Sequence, residues 1–169
     1  KLDPASLFEA RKRDHILNSL DPKNEAAGLS GLERVRLTHE SLPNLDLADV
    51  SLSTRSLGLE LRVPLFVSSM TAGHQEGRSL NRTLARACAE RGWMMGVGSQ
   101  RRQLFDHAAR AEWLELRNET PDVVLLGNLG LAQVVHTPVE TIREIVQSLE
   151  AAGLIIHLNP LQECIQPEG

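Results

Sequence analysis

The chain has 169 residues, of which 41% are hydrophobic and 24% charged, a length and composition suited to a single globular domain with a real core and unlike a disordered or fibrous chain. Eighteen Lys and Arg against 22 Asp and Glu leave a net charge of −4 with no long basic block, so a nucleic-acid groove has no electrostatic footprint, and no apolar run approaches the roughly 20 residues of a membrane span. The partners expected are therefore small molecules, with no nucleic acid and no membrane. Cys88 and Cys164 are too far apart to form a staple framework, and the chain opens without an apolar signal core, so a reducing, cytoplasmic setting is the expectation.

In chain order, residues 5–20 read as a charged helix and residues 21–31, with Pro22, Gly28 and Gly31, as a mobile loop. Val50 to Thr54 and Leu59 to Arg62, around Ser56-Leu57-Gly58, have the pattern of a hairpin that could close one end of a barrel. Four short apolar runs follow, each ending in polar residues or glycine: Val63 to Met70, Trp93 to Gln100, Val123 to Asn128 and Leu154 to Asn159. Their regular spacing, about 30 residues from start to start, is that of one strand–helix unit of a parallel sheet covered on both faces.

The segments between the runs predict helices. Leu80, Leu84 and Cys88 recur every four residues before Gly92, a glycine suited to a helix end. A second helix is expected over about 104–118, with Leu104, Ala108, Ala111 and Leu114 on its apolar side. Thr137-Pro138-Val139-Glu140 has the form of an N-cap, a proline at the first helical position and a capping box, ahead of the stripe Ile142, Ile145, Val146 and Leu149 and a stop at Gly153. The fold class is thus α/β, with residues 1–62 as an N-terminal extension and residues 63–169 as four βα units. A TIM (β/α)8 barrel takes about 250 residues. Either the sheet is open or this chain supplies the first half of a barrel. The second is expected, because the sequence ends soon after the fourth run with no helix to cover it.

In parallel α/β folds ligands gather at the carboxyl ends of strands. Those ends carry Ser68, Ser69, Met70 and Thr71, then Ser99, Gln100 and Arg101, then Asn128, then His157 and Asn159. Strand ends are wet and collect Ser and Asn as caps, but polar groups at all four exceed what packing needs. Arg101 and Arg102 at such a mouth suit phosphate oxygens, and Gly96 and Gly98 would let backbone N–H groups approach an anion. Arg11-Lys12-Arg13 reads equally as a solvated helix face. A carboxylate such as Glu163 beside phosphates suits magnesium, whereas zinc spacing is absent. His157 has a second reading as a satisfied, partly buried histidine, and nothing near Cys164 supplies a base for it to act as a nucleophile.

Taken together, Arg11-Lys12-x-x-His15, Ser69-Met70-Thr71-Ala72-Gly73, Gly98-Ser99-Gln100-Arg101, Asn128-Leu129-Gly130, the run from His157 to Glu163 and Gln166-Pro167-Glu168-Gly169 resemble the type 2, flavin-dependent isopentenyl diphosphate isomerases. The resemblance runs along essentially the whole chain. Ala72 departs from it, since the family usually has glycine there, and family members are roughly twice as long, closing a complete barrel whose later half holds most of the flavin phosphate. It implies an enzyme that interconverts isopentenyl and dimethylallyl diphosphate with FMN, Mg²⁺ and NAD(P)H as reductant, assembled as a homo-oligomer, tetramer or octamer. By the same resemblance, Met70, Thr71, Ala72, Ser99 and Asn128 would contact the flavin. Arg11, Lys12, Ser99, Gln100, Arg101, His157, Asn159 and Gln162 would contact the substrate, with Gln162 also the catalytic residue in the sense of positioning the alkene or relaying a proton, and Glu163 would carry the metal. An FMN-dependent barrel oxidoreductase such as a 2-hydroxy acid oxidase would share the architecture, although its histidine–arginine pair is not distinctive here. A phosphate-binding module without chemistry is a third reading.

Overall fold

Four short strands pair in parallel in the order in which the chain makes them: β3 (Phe66–Val67), β4 (Met94–Gly96), β5 (Leu125–Gly130) and β6 (Gly153–His157). A computed structural model describes residues 13–14, 16–25, 27–28, 30–70 and 75–160, with the backbone alone at residues 75, 76 and 107. Among the described residues the strand order follows chain order without reversal, so this sheet has no switch point of the doubly wound kind. Helices α2 (Gln75–Arg91), α3 (His107–Glu119) and α5 (Val139–Ser148) return the chain between strands, and a single turn, α4 (Leu131–Val134), follows β5 directly. Helix α1 is helical at the described residues 13–14 and 16–20. None of the helices among the described residues is long and apolar enough to cross a membrane.

Period-two alternation sorts the strand residues onto two faces. Met95, Val97 and Leu125 pack against Ala85 and Cys88 of α2, Trp113 and Leu116 of α3, and Leu149. Met94 and Leu126 face the other way and meet Leu61 of the hairpin β1 (Thr54–Ser56) and β2 (Leu59–Leu61), with Leu59 and Ile155 against them. The hairpin begins later than Val50 because its register is set by the turn Leu57-Gly58, at φ 52° and 76°, and residues 47–49 form a 3₁₀ turn instead. The stretch from residue 21 likewise contains a 3₁₀ turn, Pro22–Asn24, with the Asp21 side chain accepting from the Lys23 N–H at 3.0 Å.

Two helices differ from the sequence expectation for reasons visible in their side chains. In α3 the buried face is Ala109, Trp113 and Leu116, while Ala108, Ala111 and Leu114 are exposed. A tryptophan offers far more apolar area than two alanines, so the helix is rolled to bury the indole. The expected N-cap of α5, Thr137, turns back and donates its hydroxyl to the Gln133 carbonyl at 2.6 Å, closing α4. The cap position passes to Pro138, which makes no side-chain bond. At the other end α5 stops at Ser148, with Glu150 in the left-handed region at φ 47°, and Gly153 opens β6 rather than ending the helix.

Arg117 explains that stop. It is a 7% exposed arginine whose guanidinium donates to the carbonyls of Leu149 (2.9 Å), Thr120 (3.1 Å), Pro121 (2.9 Å) and Val123 (3.0 Å), with Glu150 O at 3.4 Å. One cation thereby serves the carbonyl ends of both α3 and α5, where the helix dipoles are negative, and ties them to the entry of β5. Burial pushes its pKa down, and the nearby Glu150 charge opposes that.

Candidate functional site

The carboxyl ends of β4, β5 and β6 meet through one buried residue. Asn128, 4% exposed, projects from β5 on the same face as Leu126 but two residues further along, where the surroundings change from apolar to polar. Its side-chain Oδ1 lies 2.8 Å from Nδ1 of His157, at the end of β6. Since a carboxamide oxygen only accepts, Nδ1 carries the hydrogen, and in the neutral imidazole the lone pair sits on Nε2. Its backbone N–H is held from the other side. Pairing of β4 with β5 stops at Gly96 and Leu126, and the Asn128 N–H donates to the side-chain Oε1 of Gln100 at 3.1 Å in place of a strand carbonyl.

The Gln100 side chain is fully enclosed, at 0% exposure. Its Nε2 donates to Gln103 Oε1 (2.8 Å) and to the Ile145 carbonyl of α5 (3.3 Å), and Gln103 in turn donates to Ser148 Oγ (3.1 Å). The sequence reading grouped Gln100 with Ser99 and Arg101 as a substrate contact. The chain coils into a 3₁₀ turn, Gln100–Leu104, as soon as β4 is over, and that turn puts Gln100 between β5 and α5 with both ends of its amide bonded to protein. Gln103 and Ser148, which support it, were not singled out from sequence. The glutamine pair three residues apart is the only signal that pointed to them.

The same turn separates the two arginines. Arg102 donates to Asp106 Oδ2 (2.8 Å from Nε) and to Glu112 Oε1 (2.8 Å from Nη1). Burial pulls its pKa down, but bonds to the two carboxylates leave it raised overall. The Asp106 carboxyl is held below the usual carboxylate range, first by the Ala108 N–H that it caps at 2.8 Å and then by Arg102. Arg101, half-buried, pairs with no carboxylate among the described residues, while its backbone N–H reaches Ser99 Oγ at 3.4 Å. A cation left without an acid at a strand mouth is able to take an anion.

Ser69, just past β3, has a buried Oγ with no hydrogen-bond partner among the described residues. It lies over Gly96, where a Cβ would fall 2.5 Å from that oxygen and 2.9 Å from Ile155 Cδ1. Met70 beside it is 58% exposed. Asn159, exposed, follows β6. Arg11, Lys12, Thr71, Ala72, Gln162 and Glu163 lie outside the described residues, and among the described residues no three His, Cys, Asp or Glu side chains gather to hold a metal ion.

Residues 20–154 match the FMN-dependent dehydrogenase family, and the chain belongs to that family. Within it, the similarity is to isopentenyl-diphosphate delta-isomerases. That of Bdellovibrio bacteriovorus is 48% identical over 168 residues, covering 97% of this chain and 48% of the relative's own length. The protein of the same name from Legionella pneumophila strain Corby is 48% identical over 164 residues, with the same two coverages, and that of Pseudescherichia vulneris is 44% identical over 161 residues, covering 94% and 46%. The chain spans about half the length of the curated relatives it matches.

Proposed function

We propose that the protein carrying this chain interconverts isopentenyl and dimethylallyl diphosphate with reduced FMN. In this reading residues 63–169 supply the first four βα units of a TIM (β/α)8 barrel and residues 1–62 an extension. The observation that carries it is the Asn128 amide, fixed at the carboxyl edge of the sheet by His157 and, through its backbone, by Gln100. The similarity to proteins named as isomerases supports it over a 2-hydroxy acid oxidase of the same family.

The rim fits a flavin. Asn128 Nδ2 has no bond to a described residue and Ser69 Oγ has none at all among them, so a donor and a hydroxyl stand ready for the carbonyl oxygens and ring nitrogens of an isoalloxazine. Gly96 lets Ser69 Oγ lie close against the backbone of β4, where any side chain would collide with it. Met70, Thr71, Ala72, Ser99 and Asn128 would hold the ring system. Reduced FMN, when bound, supplies the acid–base chemistry that an unactivated alkene needs and that a carboxylic acid is too weak to provide.

The chain's own task is to bind, orient and exclude water. Arg101, with Arg11 and Lys12 of the extension, would take the diphosphate, which does not react and whose binding energy fixes the hydrocarbon end. His157 and Asn159 would line the same pocket, with Ser99 between the two ligands. Gln162 would place the double bond or relay a proton; an amide is no useful acid. Glu163 would hold Mg²⁺ against the diphosphate, NAD(P)H would keep the flavin reduced, and the enzyme would be a cytoplasmic tetramer or octamer.

The test is an assay of the full-length protein. Allylic isomerisation that demands both reduced FMN and Mg²⁺ is the expected result, and oxygen uptake with a 2-hydroxy acid would give the protein to the oxidoreductases instead. Gln162→Ala should keep flavin and lose most turnover, and Glu163→Gln should raise the Mg²⁺ requirement.

A further inference from the structure

We infer that Gln100 is a positioning residue for the flavin: its side chain acts as a surrogate strand that holds the backbone of Asn128 and so sets where the Asn128 amide meets the cofactor. The inference rests on the reading of Asn128 as a flavin contact. Parallel strands keep one another in place by their ladders, and here the ladder partner of Asn128 is missing because β4 ends at Gly96. The Gln100 carboxamide replaces it, presenting an acceptor to the Asn128 N–H at 3.1 Å.

A free glutamine side chain would make a poor strand substitute, since its torsions are loose. This one is anchored. Its Nε2 is bonded to the Ile145 carbonyl and to Gln103, and Gln103 is tied to Ser148, so the turn after β4 and helix α5 both bear on the position of the Oε1 atom. Gly127 completes the fit: a Cβ there would lie 2.7 Å from Oε1 and 3.3 Å from Leu154 Cδ1. A side chain at 127 and the present place of Gln100 exclude each other. Asn128 is consequently clamped at two points, the backbone from the β4 side and the carboxamide from the β6 side by His157.

The test uses the full-length protein with FMN and reads the affinity for FMN and the visible spectrum of the bound flavin. Gln100→Leu removes the acceptor, and with it both Nε2 bonds, while keeping the volume; we expect it to weaken FMN binding about tenfold, what one misplaced hydrogen bond to the cofactor costs, and to shift the bound spectrum toward that of free FMN. Gln103→Leu removes one of the two anchors of Nε2 but leaves the Ile145 carbonyl and the Asn128 bond in place, so it should lower Tm with a spectral shift clearly smaller than that of Gln100→Leu, which separates positioning from general support of the fold. Gly127→Ala displaces Oε1 without touching residue 100 and should reproduce the spectral shift; it decides the matter if Gln100→Leu does not fold. A wild-type spectrum and an FMN affinity within twofold in a folded Gln100→Leu or Gly127→Ala protein would overturn the inference. An equal shift in Gln103→Leu would do so too. Asn128→Ala distinguishes the two levels: if it leaves the flavin spectrum unchanged, the reading of Asn128 fails, whereas a shift there with none in Gln100→Leu leaves that reading standing and removes Gln100 alone.

Discussion

His157 Nδ1 and Asn128 Oδ1 lie 2.8 Å apart across the β5–β6 pair, two residue positions out of direct register and on the same face, since Asn128 pairs with Ile155 and His157 with Gly130. The diagonal is open because Gly130 has no side chain: a Cβ there would fall 2.9 Å from His157 Nε2. The imidazole thus locks the carboxamide so that its nitrogen, not its oxygen, is left to the ligand. His157→Ala frees that rotation, and in the full-length enzyme kcat/KM is expected to fall about tenfold, the worth of one oriented hydrogen bond, with Tm little changed. Steady-state kinetics within twofold of wild type would show that the amide is held without the histidine.

Arg101 and Arg102 are adjacent in sequence and opposite in use. Arg102 is sequestered by Asp106 and Glu112, whereas Arg101 has no carboxylate partner among the described residues. Arg101→Ala is expected to raise KM for the diphosphate substrate tenfold or more with the melting temperature unchanged, since a charge-assisted contact to phosphate is lost from the ground state and transition state alike. Arg102→Ala should do the reverse, lowering Tm and leaving KM within about twofold. The pair measured side by side checks the assignment, and an inverted outcome would exchange their roles.

Asp106 gives the fold an acid-sensitive joint. Its carboxylate caps α3 at the Ala108 N–H and receives Arg102, and both hold its folded pKa below the unfolded one. A depressed carboxyl contributes stability above its ordinary value, about 4, and loses that contribution as the pH falls through the lower folded value. Thermal unfolding followed from pH 7 downward should therefore steepen below about pH 4. Asp106→Asn keeps the cap oxygen without the charge and should flatten that limb, while Asp106→Ala also loses the cap and should melt roughly 2–4 °C lower at pH 7. An acid limb of the same shape in Asp106→Asn would assign the acid sensitivity elsewhere.

The strand positions and the polar residues at their ends were legible because a strand buried on both faces is written as an unbroken apolar run, and its end as the first polar residue after it. Asn128 and His157 were found in that way. What was not legible depended on competition between side chains. Thr137 has every local mark of an N-cap, yet Gln133 offers a carbonyl first. Ala108 and Ala111 make a plausible stripe that Trp113 overrules. Gln100 carried the signature of a rim residue, and only the point at which β4 ends decides that its side chain goes under the rim. Of the adjacent arginines, Arg102 could have been told from Arg101 in the sequence, since Asp106 stands four residues on, but no periodicity requires that turn to be helical.

Arg117 should prove the most costly single residue of the helical layer. Its guanidinium is the donor for carbonyls at the ends of α3 and α5 and at Val123, groups that no water reaches as easily once the side chain is in place. Arg117→Met keeps the aliphatic volume and takes the guanidinium donors from those carbonyls, leaving Thr120 O with the Val123 N–H at 3.3 Å, for which a loss of about 3 kcal/mol in unfolding free energy is expected. Arg117→Lys should recover only part of it, because a single ammonium cannot span Leu149 O on one side and Thr120 and Val123 O on the other, as Nε and Nη1 do. Urea denaturation of the three proteins, with midpoints compared at constant slope, makes the measurement. A lysine variant as stable as wild type would mean that the charge near the helix ends matters and the fork does not, and a methionine variant as stable as wild type would show that those carbonyls are satisfied by other means.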